Sequence, residues 1–229
     1  MRITDLLDKR SISLTAAPKS KEEALNEAIA LMAESGKIND TEGYRRQVFA
    51  REEESTTGVG EGIAIPHGKC SAVNAPGLAA MIIKDGVDFE SLDDEPVKVL
   101  FLIAAPDTKD NVHLDVLSKL SVLLMDENFV AKLMKAGSPE EFIEIIDGAD
   151  EEAKSIDERL EKEDNKPAKI LAVTSCPTGI AHTYMAAEGL EKAAAKAGCA
   201  IKIETRGSGG AKNVLTDADI ESAECIIVA

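Results

Sequence analysis

Tryptophan is absent from this chain of 229 residues, and aromatic residues make up only 3% of it. Binding that depends on stacking of bases or sugars against aromatic rings is therefore not expected. Basic residues are also few, since 26 lysines and arginines stand against 42 aspartates and glutamates and leave a net charge of −16. Nucleic acids select basic surfaces, so we expect no nucleic-acid partner.

Long apolar runs and paired cysteines are missing as well. No run approaches the roughly 18 apolar residues that a membrane-spanning helix needs. The four cysteines lack the close pairing that is typical of metal sites; they are Cys70, Cys176, Cys199 and Cys225. Unpaired cysteines are typical of the reducing cytosol, so the sequence indicates a cytoplasmic protein. The hydrophobic fraction of 44% is sufficient for a buried core.

The first lobe, residues 1–146, combines helical and strand patterns. Typical N-cap residues precede several segments in which apolar residues recur at helical spacing. The predicted elements are helices beginning after Ser20, Asp40, Asp107 or Asp110, and Ser138, with strands at residues 78–84 and 97–105. Three glycines between residues 58 and 62 indicate a turn, because the segment precedes an apolar run and lacks the context of a dinucleotide-binding loop.

The second lobe, residues 168–229, alternates strands and helices, which predicts a parallel sheet and an α/β fold. Residues 147–167 are polar and strongly charged, and we predict a charged linker between the lobes. The second lobe has only three predicted strands, little helix to cover them, and an apolar strand at residues 225–228. We therefore expect it to be the N-terminal part of a larger domain.

The segment that begins at Cys176 joins an apolar strand pattern to a helical pattern. Backbone N–H groups of such a loop, together with the N-terminus of the following helix, bind anions, and the same field stabilises a thiolate. We predict Cys176 as a nucleophile. The predicted phosphate-binding residues are Thr178, Gly179, Ile180, Ala181, His182 and Thr183. A cysteine at the end of a strand is also commonly a small buried hydrophobe, and that alternative stays open.

The spacing of this loop also resembles the loop of the low-molecular-weight tyrosine phosphatases, in which an arginine follows the cysteine after five residues. His182 stands where that arginine would clamp a phosphate group through two hydrogen bonds. Weaker retention of the phosphoryl group suits a relay better than a hydrolase. A cysteine phosphatase therefore remains a rival hypothesis.

Two of the three histidines lie in the first lobe. His67 follows Pro66, which cannot donate to a central strand, so we expect the strand to end there and His67 to lie on a rigid turn. His113 is predicted in the first turn of the helix after Asp110. A neutral imidazole accepts a phosphoryl group near neutral pH, and a second imidazole and Arg51 would support it.

Two further alternatives for the histidines stay open. Either histidine, taken singly, is also compatible with a core imidazole that is satisfied by a backbone carbonyl. Metal binding is a rival chemistry, although no cysteine or carboxylate stands at the usual ligand spacing. The hydroxyls of Thr56 and Thr57 are further candidates for contacts with phosphoryl oxygens.

Both lobes resemble known domains. Arg51-Glu52, Ser55-Thr56 and the segment from Gly58 to His67 resemble the signature of the enzyme IIA domain of the fructose/mannitol family in the bacterial phosphoenolpyruvate:sugar phosphotransferase system. Residues 173–183 resemble the enzyme IIB domain of the fructose branch. The resemblance implies a mixed sheet flanked by helices in the IIA-like domain, followed by a small, incomplete parallel-sheet lobe of the IIB type.

The resemblance also implies the roles of the residues. His67 would take a phosphoryl group from the histidine-containing phosphocarrier protein and pass it to Cys176. Cys176 would pass it to a fructose-like sugar carried by the membrane IIC domain. His113 would be the second active-site histidine and Arg51 its basic helper, with no metal or other cofactor. The alternative is a regulatory IIA-like module whose phosphorylation state controls its binding to other proteins.

Overall fold

A computed structural model describes residues 2–108, 112–163, 170–175, 181–207 and 210–229. The chain divides into two compact units. The first comprises Met1–Val116 and Asp126–Asp150, and the second comprises Leu117–Met125 and Glu151–Ala229. None of the helices in the described ranges is both long and apolar enough to cross a membrane.

The first unit contains a mixed sheet and most of the helices. Its strands are β1 (Leu7–Ala16), β2 (Gly58–Gly60), β3 (Ile63–Ala64), β4 (His67–Cys70), β5 (Gly77–Val87) and β6 (Val97–Pro106). The helices that lie in or begin in this unit are α1 (Lys21–Glu34), α2 (Thr41–Glu54), α3 (Val112–Leu124), α4 (Glu127–Lys135) and α5 (Pro139–Glu163), and a short 3-10 helix covers Ile3–Asp5.

The strand order of this sheet is β1-β5-β6-β3-β2, with β4 also paired to β6. β1 is parallel to β5, and β6 is parallel to both β3 and β4. The β5–β6 and β2–β3 pairs are antiparallel. The two predicted apolar strands are confirmed as β5 and β6, and the predicted mixed sheet flanked by helices is confirmed.

Both faces of β5 and β6 are covered, which explains why these strands are apolar almost throughout. Met81 of β5 belongs to the same buried cluster as Leu25 and Ile29 of α1. On the opposite face of the sheet, Phe101 of β6 packs against Phe142 of α5, with ring centroids 6.0 Å apart. A half-exposed sheet would show alternating polar residues instead.

The predicted starts of α1 and α2 are confirmed, and each has a side-chain cap. The Ser20 hydroxyl accepts a hydrogen bond from the Glu23 N–H at 3.2 Å. The Asp40 carboxylate accepts one from the Gly43 N–H at 2.9 Å. These bonds satisfy N–H groups that the first turn of a helix leaves without partners.

Two local predictions in the first unit are wrong. The glycine segment at 58–62 is a short strand followed by a tight turn, because β2 pairs with β3 and the Glu61 N–H donates to Asp93 at 2.7 Å. The preceding strand does end before Pro66 as predicted, since β3 stops at Ala64, but His67 does not lie on a turn; it is the first residue of β4 and pairs with Ile103. Pro66 still accepts a hydrogen bond from the Ile103 N–H at 2.9 Å, so the ladder resumes directly after it.

The second unit contains a four-stranded sheet in the order β10-β7-β8-β9. Its further elements are β7 (Ile170–Ser175), α6 (Ala181–Ala197), β8 (Ile201–Gly207), β9 (Gly210–Lys212), α7 (Asp217–Ser222) and β10 (Cys225–Val228). β7 pairs in parallel with β10 on one side and with β8 on the other, which confirms the predicted parallel sheet. β9 was not predicted; it pairs antiparallel with β8.

The predicted linker is largely helical, because α5 begins at Pro139 and continues to Glu163. Glutamate, which is a good helix former, is the commonest residue between positions 147 and 163. The predicted helix start at Ser138-Pro139 is confirmed, while the domain boundaries at 146/147 and 167/168 stay a prediction.

Candidate functional site

The structure brings two of the predicted site residues together, Arg51 of α2 and His67 of β4. The Arg51 Nε–H donates a hydrogen bond to His67 Nε2, and the two nitrogens are 3.2 Å apart. The other ring nitrogen, Nδ1, lies 3.1 Å from the carbonyl oxygen of Ile65. The imidazole is half-buried and is thus held at both nitrogens.

These two contacts define the tautomer of His67. A carbonyl oxygen only accepts hydrogen bonds, so Nδ1 must carry the proton that is donated to Ile65. An arginine N–H only donates, so Nε2 must present its lone pair to Arg51. The arrangement therefore fits a neutral imidazole with its nucleophilic lone pair on Nε2.

The guanidinium group of Arg51 is fixed by the end of its own helix. Its Nη1 donates to the Ser55 carbonyl at 3.1 Å and lies 3.3 Å from the Ser55 hydroxyl. Arg51 stands in the last turn of α2, where the exposed carbonyls of a helix favour a positive charge. The helix end thus holds the guanidinium where its Nε reaches the imidazole.

The close approach of α2 to β4 depends on Gly68. A Cβ atom at this position would lie 2.9 Å from Cε2 of Tyr44 and 3.0 Å from Cγ2 of Val48. Both distances are shorter than ordinary carbon–carbon contacts. The Tyr44 hydroxyl also donates to the Ile103 carbonyl of β6 at 2.9 Å. The absence of a side chain next to His67 is what allows the helix carrying Arg51 to lie against the strand.

Glu52, the neighbour of Arg51 on α2, lies next to the candidate site and is not among the site residues predicted above. Its side chain is only 6% exposed. It accepts hydrogen bonds from the backbone N–H of Thr57 at 2.9 Å and from the Thr57 hydroxyl at 2.5 Å. A signal was available, because Glu52 follows the buried residues Tyr44 and Val48 at a spacing of four and so falls on the inner face of α2.

Lys21 provides the positive charge for this buried carboxylate. Its Nζ lies 2.8 Å from Glu52 and 3.0 Å from the exposed Glu90, and 5.1 Å from the centroid of the Phe89 ring. Burial by itself would lower the pKa of Lys21, but the hydrogen bonds to Glu52 and Glu90 outweigh burial and raise it. Lys21 is therefore charged across the physiological range.

The hydroxyls of Thr56 and Thr57 were candidates for contacts with phosphoryl oxygens, but both donate hydrogen bonds to acceptors of the protein itself. The Thr56 hydroxyl donates to the Phe89 carbonyl at 3.1 Å and accepts from the Gly58 N–H at 3.1 Å. The Thr57 hydroxyl donates to Glu52. In this structure both residues fix the turn between α2 and β2.

The remaining predicted site residues are less completely described. His113 lies in the first turn of α3 as predicted, and its side chain falls outside the described part of the structure. Cys176, Thr178, Gly179 and Ile180 also lie outside the described residues. Their catalytic and phosphate-binding roles stay predictions.

The elements on either side of the cysteine loop follow the predicted order. β7 ends at Ser175, directly before Cys176, and α6 begins at Ala181. The side chain of His182 is not described, whereas Thr183 is buried, with 1% of its surface exposed. A strand thus leads into the loop and a helix of 17 residues follows it, which is the context that the anion-site prediction requires.

Two protein-family models match the chain in succession. The first, described as "Phosphoenolpyruvate-dependent sugar phosphotransferase system, EIIA 2", matches residues 5–149. The second, described as "PTS system, Lactose/Cellobiose specific IIB subunit", matches residues 171–229. The predicted order of an EIIA-type region and a IIB-type region is therefore confirmed.

Individual relatives agree with this order. The chain is 47% identical over its whole length to the "PTS system fructose-specific EIIABC component" of Bacillus subtilis and spans 36% of that protein. Among solved structures, the nitrogen regulatory protein IIA-Ntr of Neisseria meningitidis is 31% identical, with a TM-score of 0.59; the match covers 63% of this chain and 98% of that one.

A second solved structure is the complex of enzyme IIAMTL with phosphorylated enzyme IIBMTL of Escherichia coli. It is 28% identical with a TM-score of 0.55, and the match covers 62% of this chain and 99% of that chain. Arg51 and His67 both lie within residues 5–149, the part of the chain that the EIIA 2 family model matches.

Proposed function

This chain belongs to the phosphoenolpyruvate-dependent sugar phosphotransferase system EIIA 2 family, and we propose that it relays phosphoryl groups to a sugar during uptake. The observation that carries the proposal is the geometry of His67, whose Nε2 lone pair is oriented by the hydrogen bond from Nδ1–H to Ile65 and faces the guanidinium of Arg51. A nucleophile next to a fixed positive charge is what phosphoryl transfer requires.

In the first step, His67 Nε2 attacks the phosphorus atom of a phosphohistidine on the histidine-containing phosphocarrier protein. One N–P bond forms as the donor's N–P bond breaks, and the donor imidazole leaves with the electron pair. The Nδ1 proton stays on His67, so no base is needed. Arg51 gives up its hydrogen bond to Nε2 and donates instead to the phosphoryl oxygens, where its charge stabilises the transition state.

In the second step, the thiolate of Cys176 attacks the phosphorus atom on His67. An S–P bond forms, the N–P bond breaks, and His67 returns to its neutral state. The loop residues Thr178–Thr183 would surround the phosphoryl group with backbone N–H donors at the start of α6. His113 would donate a hydrogen bond to the phosphoryl oxygens during the first step.

The final acceptor would be a sugar bound by a membrane IIC domain, which would hold this cytoplasmic chain at the membrane. The relative from Bacillus subtilis is named as a fructose-specific component, which makes fructose the first sugar to test. The name of the matching IIB model refers to lactose and cellobiose, so these sugars belong in the same comparison.

A regulatory module is the second candidate function, because a nitrogen regulatory protein is among the similar structures. The IIB-type match at residues 171–229 favours the relay, since a regulator that is read only through its phosphohistidine has no need of a cysteine acceptor.

The test is incubation of the chain with ³²P-labelled phosphoenolpyruvate and the two general phosphotransferase proteins. The relay predicts acid-labile label on His67 and then on Cys176. His67→Ala should carry no label at either position, and Cys176→Ser should retain label on His67 alone. Cys199→Ser, which alters an exposed cysteine, is the matched control and should be labelled like the unchanged chain.

The outcomes separate the hypotheses. Label confined to His67 in the unchanged chain would favour the regulatory module. Label on Cys176 in the His67→Ala variant would contradict the order of transfer. Rapid release of free phosphate from p-nitrophenyl phosphate would favour the cysteine phosphatase. Addition of membranes containing the IIC domain should transfer label to fructose more rapidly than to lactose or cellobiose.

A further inference from the structure

Glu52 is a buried carboxylate that the proposed phosphoryl transfer does not use. Carboxylates are seldom buried unless they are paired, and Glu52 is paired with Lys21 at 2.8 Å. It also accepts two hydrogen bonds from Thr57, one from the backbone N–H and one from the hydroxyl. The buried charge is therefore directed at one residue of the turn that follows α2.

A continuous series of hydrogen bonds leads from this turn to the imidazole of His67. The Thr57 carbonyl accepts a hydrogen bond from the Ile65 N–H at 3.0 Å. The Ile65 carbonyl in turn accepts the hydrogen bond from His67 Nδ1–H at 3.1 Å. The two hydrogen bonds connect Thr57 to Ile65 and Ile65 to the ring of His67. A shift of Thr57 therefore moves the Ile65 carbonyl that orients the ring.

The same turn also holds the guanidinium group. Ser55, which accepts hydrogen bonds from Arg51 Nη1, lies two residues before Thr57. A fixed position of Thr57 therefore restricts two groups. One is the Ile65 carbonyl, which accepts the hydrogen bond from His67 Nδ1, and the other is Ser55, which accepts the hydrogen bonds from Arg51. The buried pair thus acts on the site through Thr57, without contact to the phosphoryl group.

We infer that Glu52, neutralised by Lys21, is a positioning residue that sets the tautomer and orientation of His67 through Thr57 and Ile65. The inference rests on the proposed function in so far as it concerns the rate of phosphoryl transfer. The predicted tautomer and orientation of the imidazole concern the unphosphorylated chain and do not depend on the proposed function.

The experiment compares Glu52→Gln with the unchanged chain. Long-range ¹H–¹⁵N spectra of the histidine ring report the tautomer without any phosphoryl transfer. We expect the unchanged chain to show the Nδ1–H form and the variant to show a mixture of both tautomers. We also expect phosphorylation of His67 to be slower by about ten- to a hundredfold, since small misplacements of reacting groups have effects of this size.

Control variants separate positioning from general damage. Glu53→Gln removes the charge of the next residue on α2, which is exposed, and should leave both the spectrum and the rate unchanged. Thr57→Val removes only the hydroxyl contact to Glu52 and should shift both readouts in the direction of Glu52→Gln. Thr57→Ser restores that hydroxyl and should restore both.

Each outcome decides one hypothesis. A folded Glu52→Gln variant with the spectrum and rate of the unchanged chain would overturn the inference and leave the relay intact. If Glu52→Gln does not fold, an unaltered spectrum and rate in Thr57→Val would overturn it. If the unchanged chain takes up no phosphoryl group, the proposed function fails, and the ring spectra alone still confirm or overturn the positioning role.

Discussion

Arg51 Nε lies 3.2 Å from His67 Nε2, so the last turn of α2 directly contacts the first residue of β4. The two residues are 16 positions apart in the chain and meet because α2 packs on the strand that carries the histidine. The contact lies between a donor and the lone pair of a neutral ring. It therefore identifies Nε2 as the nitrogen that we propose as the nucleophile.

Replacing Arg51 should slow the phosphorylation of His67 without preventing it. Arg51→Gln removes the positive charge next to Nε2, and loss of one such transition-state donor reduces rates by about a hundred- to a thousandfold. Arg51→Lys should recover only part of the rate, because an ammonium group cannot reproduce the planar set of donors. Quenched-flow labelling with the phosphocarrier protein measures these rates. Arg46→Gln, at an exposed position of α2, is the control, and an equal loss there would show that the effect is not specific to the site.

A methyl group at position 68 should push α2 away from β4. Gly68→Ala places a Cβ atom 2.9 Å from the Tyr44 ring, and overpacking of this kind costs about 1–3 kcal/mol in the free energy of unfolding. Urea unfolding measures this change, and the rate of His67 phosphorylation should fall with it. The matched control is Gly148→Ala in α5, where a Cβ would meet nothing within 4 Å. That substitution should leave the site unaffected, and the hypothesis fails if both variants behave alike.

Tyr44 should make the stability of the first unit sensitive to alkaline pH. Burial, followed by the charge of Cys70, raises its pKa well above the ordinary value of 10.0. The unfolded chain therefore releases the phenolic proton at a lower pH than the folded chain. The contribution of Tyr44 to stability is fully present below about pH 10 and is lost as the pH rises further.

Tyr44→Phe isolates this contribution. The variant loses the hydrogen bond to the Ile103 carbonyl and should be less stable by about 1 kcal/mol at pH 8. The difference from the unchanged chain should shrink between pH 10 and pH 11, as measured by urea unfolding at each pH. A difference that stays constant over this interval would contradict the raised pKa.

Asp219 should make the stability of the second unit depend on pH in the acid range. The hydrogen bond from Lys202 at 2.7 Å, followed by those from the Thr216 hydroxyl and backbone, holds the pKa of this carboxyl well below its ordinary value of 3.8. The stabilising contribution is present above pH 3.8 and is lost as the pH falls further. The Thr216 amide resonance should therefore stay at its neutral-pH position at pH 3. In Asp219→Asn the resonance should be shifted at every pH, and a full titration near pH 3.8 in the unchanged chain would contradict the prediction.

Much of the fold could be read from local patterns. Ser20 and Asp40 mark helix starts because the side chain that caps a helix is next to it in sequence. β5 and β6 were recognisable because buried central strands are continuous apolar runs in the sequence. β2 and β9 were missed because each has only three residues, and such short strands exist only through pairing with a neighbour.

In the candidate site, too, some features could be predicted from the sequence and others could not. The motif around His67 and Cys176 pointed to phosphoryl chemistry from residue types and spacing alone. The predicted turn at His67 was wrong because Pro66 keeps its carbonyl in the ladder although it cannot donate to it. Helical spacing places Glu52 on the inner face of α2, but its partner Lys21 belongs to α1 and is brought to it only by packing.

The sequence by itself determined the family and the order of the two regions, and it supplied the prediction of His67 and Cys176 as nucleophiles, since these depend on which residues stand next to one another. Only the tertiary structure decided which nitrogen of His67 faces Arg51 and which one faces the Ile65 carbonyl. The tautomer of a histidine is set by hydrogen-bond partners, and those partners come from different elements that meet only when the chain folds.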